Sequence, residues 1–151
     1  MSDARRRVID NELRDFRLGG AELPENLKPR FMAIQEELAA LSAKFEENLL
    51  DATNAWSKRI VDADELSGVP EDAMQMFRAQ AEAAGEDGWR LNLRAPSFLA
   101  VMQFCANRGL REEMYRAHVT RASEFGPAEW DNTPLIDRIL ELRHEEAAML
   151  G

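Results

Sequence analysis

The sequence contains few of the residues from which protein sites are commonly built: one cysteine, two histidines and one tyrosine among 151 residues. The single cysteine, Cys105, cannot form an intrachain disulfide or a multi-cysteine metal site, which favours a reducing compartment. The chain also has no run approaching the roughly 18 apolar residues of a membrane-spanning helix, and the first residues lack the apolar stretch of a secretory signal. These absences predict a soluble, cytoplasmic protein.

Positive charge is also scarce, because 19 lysines and arginines stand against 28 acidic residues and give a net charge of −9. Such a surface repels phosphate backbones and anionic lipid, so we expect neither a nucleic acid nor a membrane as a partner. A hydrophobic content of 45% with three tryptophans argues against intrinsic disorder. A chain of 151 residues is about one domain long, and residues 1–151 are expected to form a single helical segment.

Apolar residues recur at helical spacing in the first third of the chain. A first helix is predicted for residues 3–17, ended by Gly19 and Gly20. A second is predicted from Pro29 to about Ala52. The α2 stripe, as we call the apolar series of this second helix, comprises Leu27, Phe31, Ile34, Leu38, Leu41, Phe45 and Leu49. Its spacing indicates a long helix that lines a bundle core.

The rest of the chain combines two short strands with four further helices. Residues 55–61 and 89–93 have strand character and are expected to pair. A third helix is predicted after Pro70 and a fourth with Ser97 as its N-cap. The remaining helices are predicted from Leu110 to about Glu124, ended by Gly126 and Pro127, and from Asn132 or Thr133 to the last residues. The predicted fold class is mainly α with a small two-stranded β element.

The two histidines do not form a familiar zinc pattern. A zinc-peptidase helix carries a second histidine four residues after the first and a glutamate next to the first. His144 and Glu145 begin this pattern, but Ala148 occupies the position of the second ligand, and His118 lacks both partners. We expect His144 to be a partly exposed residue near a helix C-terminus, where a positive imidazole is favoured.

The other reactive groups have structural interpretations. Adjacent carboxylates such as Glu112 and Glu113 do not face each other on a helix, so solvated faces are expected for them. Cys105 lies in an apolar stretch and is expected to be a buried, inert thiol. Tyr115, Arg116 and Arg121 suit either ligand contacts or the edge of an amphipathic helix. The residues therefore predict no catalytic, cofactor-binding or metal-binding site in this chain.

Six segments, in order and without large gaps, resemble the thimet-oligopeptidase family of zinc peptidases, nearest to its bacterial oligopeptidase branch. The segments are LRDFRLGGAELP, RFMAIQEELAALSAKFEENLLDATNAW, VPEDAM, APSFLAVMQFCAN, LREEMYRAHVTRAS and WDNTPLIDRILELRHEEAAMLG. Together they cover nearly the whole chain. The resemblance implies a helical part of a two-lobed enzyme that cleaves short peptides in a deep channel.

The resemblance also implies which functions this chain lacks. The family's His-Glu-x-x-His motif, its third zinc ligand and its transition-state-stabilising His and Tyr lie beyond the position that Gly151 matches. Zinc and short peptides are therefore expected to bind the full-length parent, while this chain alone is expected to be inactive and to form part of the channel wall. Helices that begin near Met1 and end near Gly151 favour a piece of a longer protein. Its exposed apolar faces would then contact the remainder of the peptidase or cause self-association.

A second hypothesis from another class is a stand-alone helical module that binds peptides or a partner helix without catalysis. Its docking face would be the α2 stripe, in the mode of a helix laid into a groove. This second hypothesis predicts binding without cleavage and a natural reading frame that stops at Gly151.

Overall fold

The computed structural model describes residues 2–151, which form six α-helices, two 3₁₀ turns and a two-stranded sheet. The helices are α1 (Asp3–Leu18), α2 (Lys28–Ala55), α3 (Glu71–Ala83), α4 (Ala95–Phe104), α5 (Arg108–Val119) and α6 (Thr133–Leu150). The strands are β1 (Ser57–Ile60) and β2 (Trp89–Asn92). The predicted fold class, mainly α with a small β element, is confirmed. Across residues 2–151, no helix combines the length and apolarity needed to cross a bilayer.

The chain divides into two compact units, one comprising residues up to Phe45 together with Thr133–Gly151, and the other Glu46–Asn132. In the first unit α2 packs against α6, and their shared core contains Ile34, Leu38 and Leu142, each at most 4% exposed. Burial of these side chains removes apolar surface from water, which is the main favourable term in folding.

Two bidentate ion pairs join the same two helices. Arg30 donates to Glu145 and Arg138 donates to Glu37, each through two N–H groups at 2.6–3.0 Å. Hydrogen bonding to the partner guanidinium holds the pKa of Glu37 and of Glu145 below its ordinary value. The side chains on both sides of each pair remain about two-fifths exposed, so the pairs fix the helix register more than they stabilise the unit.

The α2 stripe is buried over only part of its length. Phe31, Ile34 and Leu38 are buried within the first unit, so this part of the stripe is not available as a docking face. Leu49 is 36% exposed, whereas Asn48 and Ala52 are buried instead. The prediction that Leu49 continues the buried face is therefore wrong. Burial of Ala52 fits the helical period, because a step of seven residues from Phe45 returns nearly to the same face. Burial of Asn48 instead accompanies its side-chain hydrogen bond to Asn132 at 2.9 Å.

The first helix, α1, has no buried residue. The α1 stripe, defined as Val8, Ile9, Leu13 and Phe16, is between 46% and 69% exposed. Gly19 and Gly20 end the helix as predicted. Gly20 has a φ of +82°, and a Cβ there would lie 2.7 Å from the ring of Phe31, so both conformation and space require glycine at this position.

In the second unit, β1 and β2 form an antiparallel pair in which Ser57 lies opposite Asn92 and Ile60 opposite Trp89. This pairing confirms the prediction. The sheet packs with the neighbouring helices around a core of nine buried residues, listed here in chain order: Ile60, Leu66, Phe77, Leu91, Leu93, Val101, Cys105, Leu110 and Met114.

The start of α4 and the end of α5 differ from the prediction for reasons that the structure shows. Ser97 is not the N-cap of α4 but lies in its first turn, where its hydroxyl accepts a hydrogen bond from the Asn92 N–H at 3.1 Å. α5 ends at Val119 rather than near Glu124. The Thr120 hydroxyl donates to a carbonyl of the last turn at 2.8 Å. Such local side-chain bonds compete with helix continuation.

Candidate ligand pocket beside Arg121

His144 and Cys105, which the sequence presents as reactive groups, do not lie in a metal-binding cluster among residues 2–151. His144, which is expected to be partly exposed, lies exposed in the second half of α6. Cys105 is buried, as predicted, and its thiol lies 3.4 Å from the Glu65 carbonyl oxygen. Among residues 2–151, no group of three or more histidine, cysteine, aspartate or glutamate side chains could hold a metal ion. The donors in the described chain therefore do not fit the zinc that the family resemblance implies for the parent.

Members of the carboxylate doublets pair with basic side chains. The pairs span 2.5–3.0 Å and are Glu37–Arg138, Glu145–Arg30, Glu146–Arg143, Glu112–Arg116 and Glu113–Lys58. Pairing with a cation favours the charged carboxylate and opposes the shared proton of an acid–base dyad. These doublets are thus part of the structural ion-pair pattern.

A pocket with distinct chemistry lies in the second unit, and we call it the Arg121 pocket. Its volume is about 320 Å³, and its apolar lining includes Ala52, Trp56, Leu93, Ala122, Phe125 and Trp130. The end of α2, the residue before β1, the residue after β2 and the turns that follow α5 supply these side chains. Among the described residues that line the pocket, Arg121 is the one with a charge.

The turns that follow α5 acquire their shape from polar contacts. Ala122 has a φ of +47°, in the left-handed region that L-residues seldom occupy, and its carbonyl oxygen accepts from the Asn132 N–H at 3.1 Å. The side chain of Asn132 accepts from Asn48 Nδ2 at 2.9 Å, and both asparagines are buried. These contacts hold the segment that carries Phe125 and Trp130 against the end of α2.

Arg121 is part-buried and held by three contacts. Its Nε donates to the His118 carbonyl oxygen at 2.9 Å, and Nη1 donates to Thr53 Oγ1 at 2.8 Å. Nη2 lies 2.9 Å from His118 Nε2. Because a guanidinium only donates, this ring nitrogen must accept, so the imidazole is neutral with its proton on Nδ1. The same ring stacks on Phe98 with centroids 3.9 Å apart.

The electrostatics of this cluster are unusual for so acidic a chain. Within the part of the chain that the structure describes, Arg121 makes no ion pair. Burial lowers the pKa of Arg121, and burial together with the Arg121 charge lowers the pKa of His118. A part-buried cation without a carboxylate partner is incompletely compensated. The pocket therefore favours an anionic group beside apolar walls.

Tyr115, Arg116 and Arg121 are each predicted to contact a ligand or to lie at the edge of an amphipathic helix, and the structure assigns them different positions. Tyr115 is 52% exposed, and Arg116 pairs with Glu112 at 2.9 Å on the surface of α5. Both suit the edge of an amphipathic helix. Only Arg121 lines the pocket, and it lies beyond the end of α5 rather than on it.

Sequence reasoning missed the aromatic walls of the pocket. Trp56 entered the prediction as part of a strand and of the family resemblance, and Trp130 only as part of the resemblance. A tryptophan beside a turn could have indicated the pocket, because its large apolar surface usually packs against protein or ligand. The two tryptophans lie near Arg121 because of contacts between residues far apart in sequence and because of the left-handed conformation of Ala122. Neither feature can be recognised from a local sequence pattern.

The chain is similar to known peptidases along its whole length. The model of peptidase family M3 matches residues 101–151. Over its whole length the chain is similar to oligopeptidase A of Salmonella typhimurium (47% identical over 153 aligned residues) and of Escherichia coli (46%). It is 41% identical to the probable cytosolic oligopeptidase A of Arabidopsis thaliana. The chain spans 22% of the length of each of these relatives. The resemblance to the oligopeptidases is thereby confirmed.

Proposed function

We propose that this chain is a non-catalytic segment of a zinc-dependent oligopeptidase of the M3 type, located in the cytoplasm. In the parent it forms part of the wall of a channel that admits short peptides and excludes folded proteins. The observation that carries the proposal is the 47% identity to oligopeptidase A along the whole chain, over only 22% of that relative's length. Because the donors described here do not fit zinc, residues outside this segment supply the hydrolytic chemistry.

The exposed faces of the segment support a role within a larger protein. The α1 stripe carries four large apolar side chains, each at least 46% exposed, and such continuous faces normally contact other protein. In the proposed parent, the remainder of the peptidase covers this stripe. Each of the two units has its own buried core, which suits a supporting role better than that of a flexible linker.

A hydrolysis assay tests this proposal. The purified 151-residue chain is incubated with a quenched fluorescent peptide of eight to ten residues, with and without zinc and a chelator, beside the full-length parent. The expected result is chelator-sensitive cleavage by the parent and none by the chain. The variant His144→Ala is the matched control, because it removes the one His-Glu pair in the sequence. Chelator-sensitive cleavage by the chain that this variant abolishes would contradict the proposal.

A further inference from the structure

The Arg121 pocket combines a part-buried cation with aromatic walls. Its volume of about 320 Å³ is at the lower end of small-molecule sites, which span roughly 300–1,000 Å³. Trp56 and Trp130 lie in its lining, and Phe125 is 77% exposed at the same site. The size suits one apolar side chain with its polar terminus, rather than a long stretch of peptide.

Arg121 has hydrogen-bond donors that the described chain does not use. Its contacts to the His118 carbonyl, Thr53 and the His118 ring engage one N–H on each guanidinium nitrogen. A guanidinium has five N–H donors, so one remains on each terminal nitrogen. Two such donors match the two oxygens of a carboxylate, in the geometry for which arginine is best suited.

We propose that the Arg121 pocket binds the C-terminal residue of a short peptide. The terminal carboxylate accepts hydrogen bonds from Arg121, and an apolar or aromatic side chain packs against Trp56, Phe125 and Trp130. The peptide as ligand rests on the proposed function, while the pocket chemistry rests on the contacts described above.

The walls and the charge together select this ligand over other anions. A small inorganic anion would pair with Arg121 but would leave the aromatic surfaces in contact with water. An apolar group without a charge would cover those surfaces but would desolvate Arg121 without pairing it, which is costly. A terminal carboxylate on an apolar residue satisfies both parts of the site.

Binding to the 151-residue chain tests the proposal without any hydrolysis. The probes are acetyl-Ala-Ala-Phe with a free C-terminus, the same peptide as its C-terminal amide, and acetyl-Ala-Glu-Ala amide, whose carboxylate is internal. Two of the three tryptophans line the pocket, so their fluorescence reports occupancy, and calorimetry gives the dissociation constant. The free acid is expected to bind at least about tenfold more tightly than either amide, since hydrogen bonds between charged groups are the strong ones.

Variants locate the binding site. Arg121→Gln is expected to weaken binding of the free acid about tenfold and to leave the amide unchanged. Arg116→Gln is the matched control, because Arg116 carries the same charge nearby in sequence but is exposed and paired with Glu112. Circular dichroism verifies that each variant is folded, and the comparison of acid with amide on the unmodified chain requires no variant.

Each outcome decides the proposal. Equal affinity for acid and amide, or no binding of the acid at 10 mM, would overturn it. Equal binding of the peptide with the internal glutamate would overturn the assignment to a C-terminus and indicate that an acidic side chain is the natural occupant. These results are independent of the hydrolysis assay, so the pocket proposal and the proposed function can fail separately.

Discussion

Two buried asparagines illustrate how single residues position the Arg121 pocket. Asn48 and Asn132 are 3% and 1% exposed, and their side chains share one hydrogen bond. Asn48 is a buried polar residue next to Leu49, outside the apolar series of α2. A polar residue is tolerated in such a place only when it is hydrogen-bonded.

The substitution Asn132→Ala is therefore expected to destabilise the chain by about 1–3 kcal/mol, because it leaves the Asn48 amide buried without its acceptor. Urea unfolding followed by circular dichroism measures the change. The matched control is Asn54→Ala, since exposed Asn54 only accepts from Arg94, and about 0.5 kcal/mol or less is expected there. Equal losses for the two variants would show that burial of the pair is unimportant.

His118 gives a second prediction at the residue scale, concerning pH. Burial and the Arg121 charge lower its pKa in the folded chain. Between the lowered folded pKa and the ordinary value near 6.5, the unfolded chain therefore binds more protons than the folded one. Stability is expected to fall as the pH drops through this window and to level off below the folded pKa.

The pH experiment compares urea midpoints between pH 8 and pH 5 in a His144→Gln background, where His118 is the only histidine. Adding His118→Gln should reduce the loss of stability in this window. An unchanged slope would mean that His118 titrates alike in the folded and unfolded chain, contrary to its contacts with Arg121 and Phe98.

At the scale of secondary structure, the sequence predicts the elements better than their ends. The pairing of β1 with β2 follows from the strand pattern in Trp89, Leu91 and Leu93, and the glycines after Leu18 stop α1 as expected. The predicted end of α5 is wrong because the hydroxyls of Thr120 and Ser123 donate hydrogen bonds to nearby carbonyls. Such local bonds cannot be recognised from the spacing of apolar residues.

Gly88 immediately precedes β2, and its substitution tests how the chain enters this strand. It has a φ of +92°, and a Cβ there would lie 2.3 Å from the Ile60 carbonyl oxygen. Gly85 also has a positive φ, +70°, but a Cβ there would meet nothing within 4 Å. Gly85→Ala is expected to cost about 1–2 kcal/mol from the left-handed conformation alone, and Gly88→Ala is expected to cost more.

Chemical denaturation of the two glycine variants measures this difference. The pair isolates the clash with β1, since both substitutions impose the same kind of backbone strain. Equal destabilisation would indicate that the connection into β2 shifts without cost, and that the position of Gly88 does not fix the strand register.

At the scale of the whole molecule, the family resemblance predicted more about this chain than the spacing of its apolar residues did. Helical patterns predicted the fold class, but they could not distinguish a self-sufficient bundle from part of a larger protein. The α2 stripe is partly buried within the chain, while the α1 stripe, on a helix that the sequence also predicts, is exposed. The Arg121 pocket could not be predicted because its walls come from separate elements.

The exposed α1 stripe predicts self-association of the isolated chain. Sedimentation velocity over a hundredfold range of concentration is expected to show a mass that rises with concentration. Leu13→Glu should return the chain toward the monomer by placing a charge within the stripe. Asn11→Glu is the control, because position 11 faces away from the stripe on the same helix. A constant monomer mass for the unmodified chain would contradict this prediction.

The mass and peptide map of the native protein test the central claim, that this chain is a segment of an oligopeptidase, most directly. An antibody raised against residues 2–151 isolates the protein from its own cells for mass spectrometry. The account predicts a protein about 4.5 times the length of this chain, from its 22% share of the relatives' length. Its map should contain His-Glu-x-x-His after Gly151. A native protein that consists of these 151 residues alone would contradict the account.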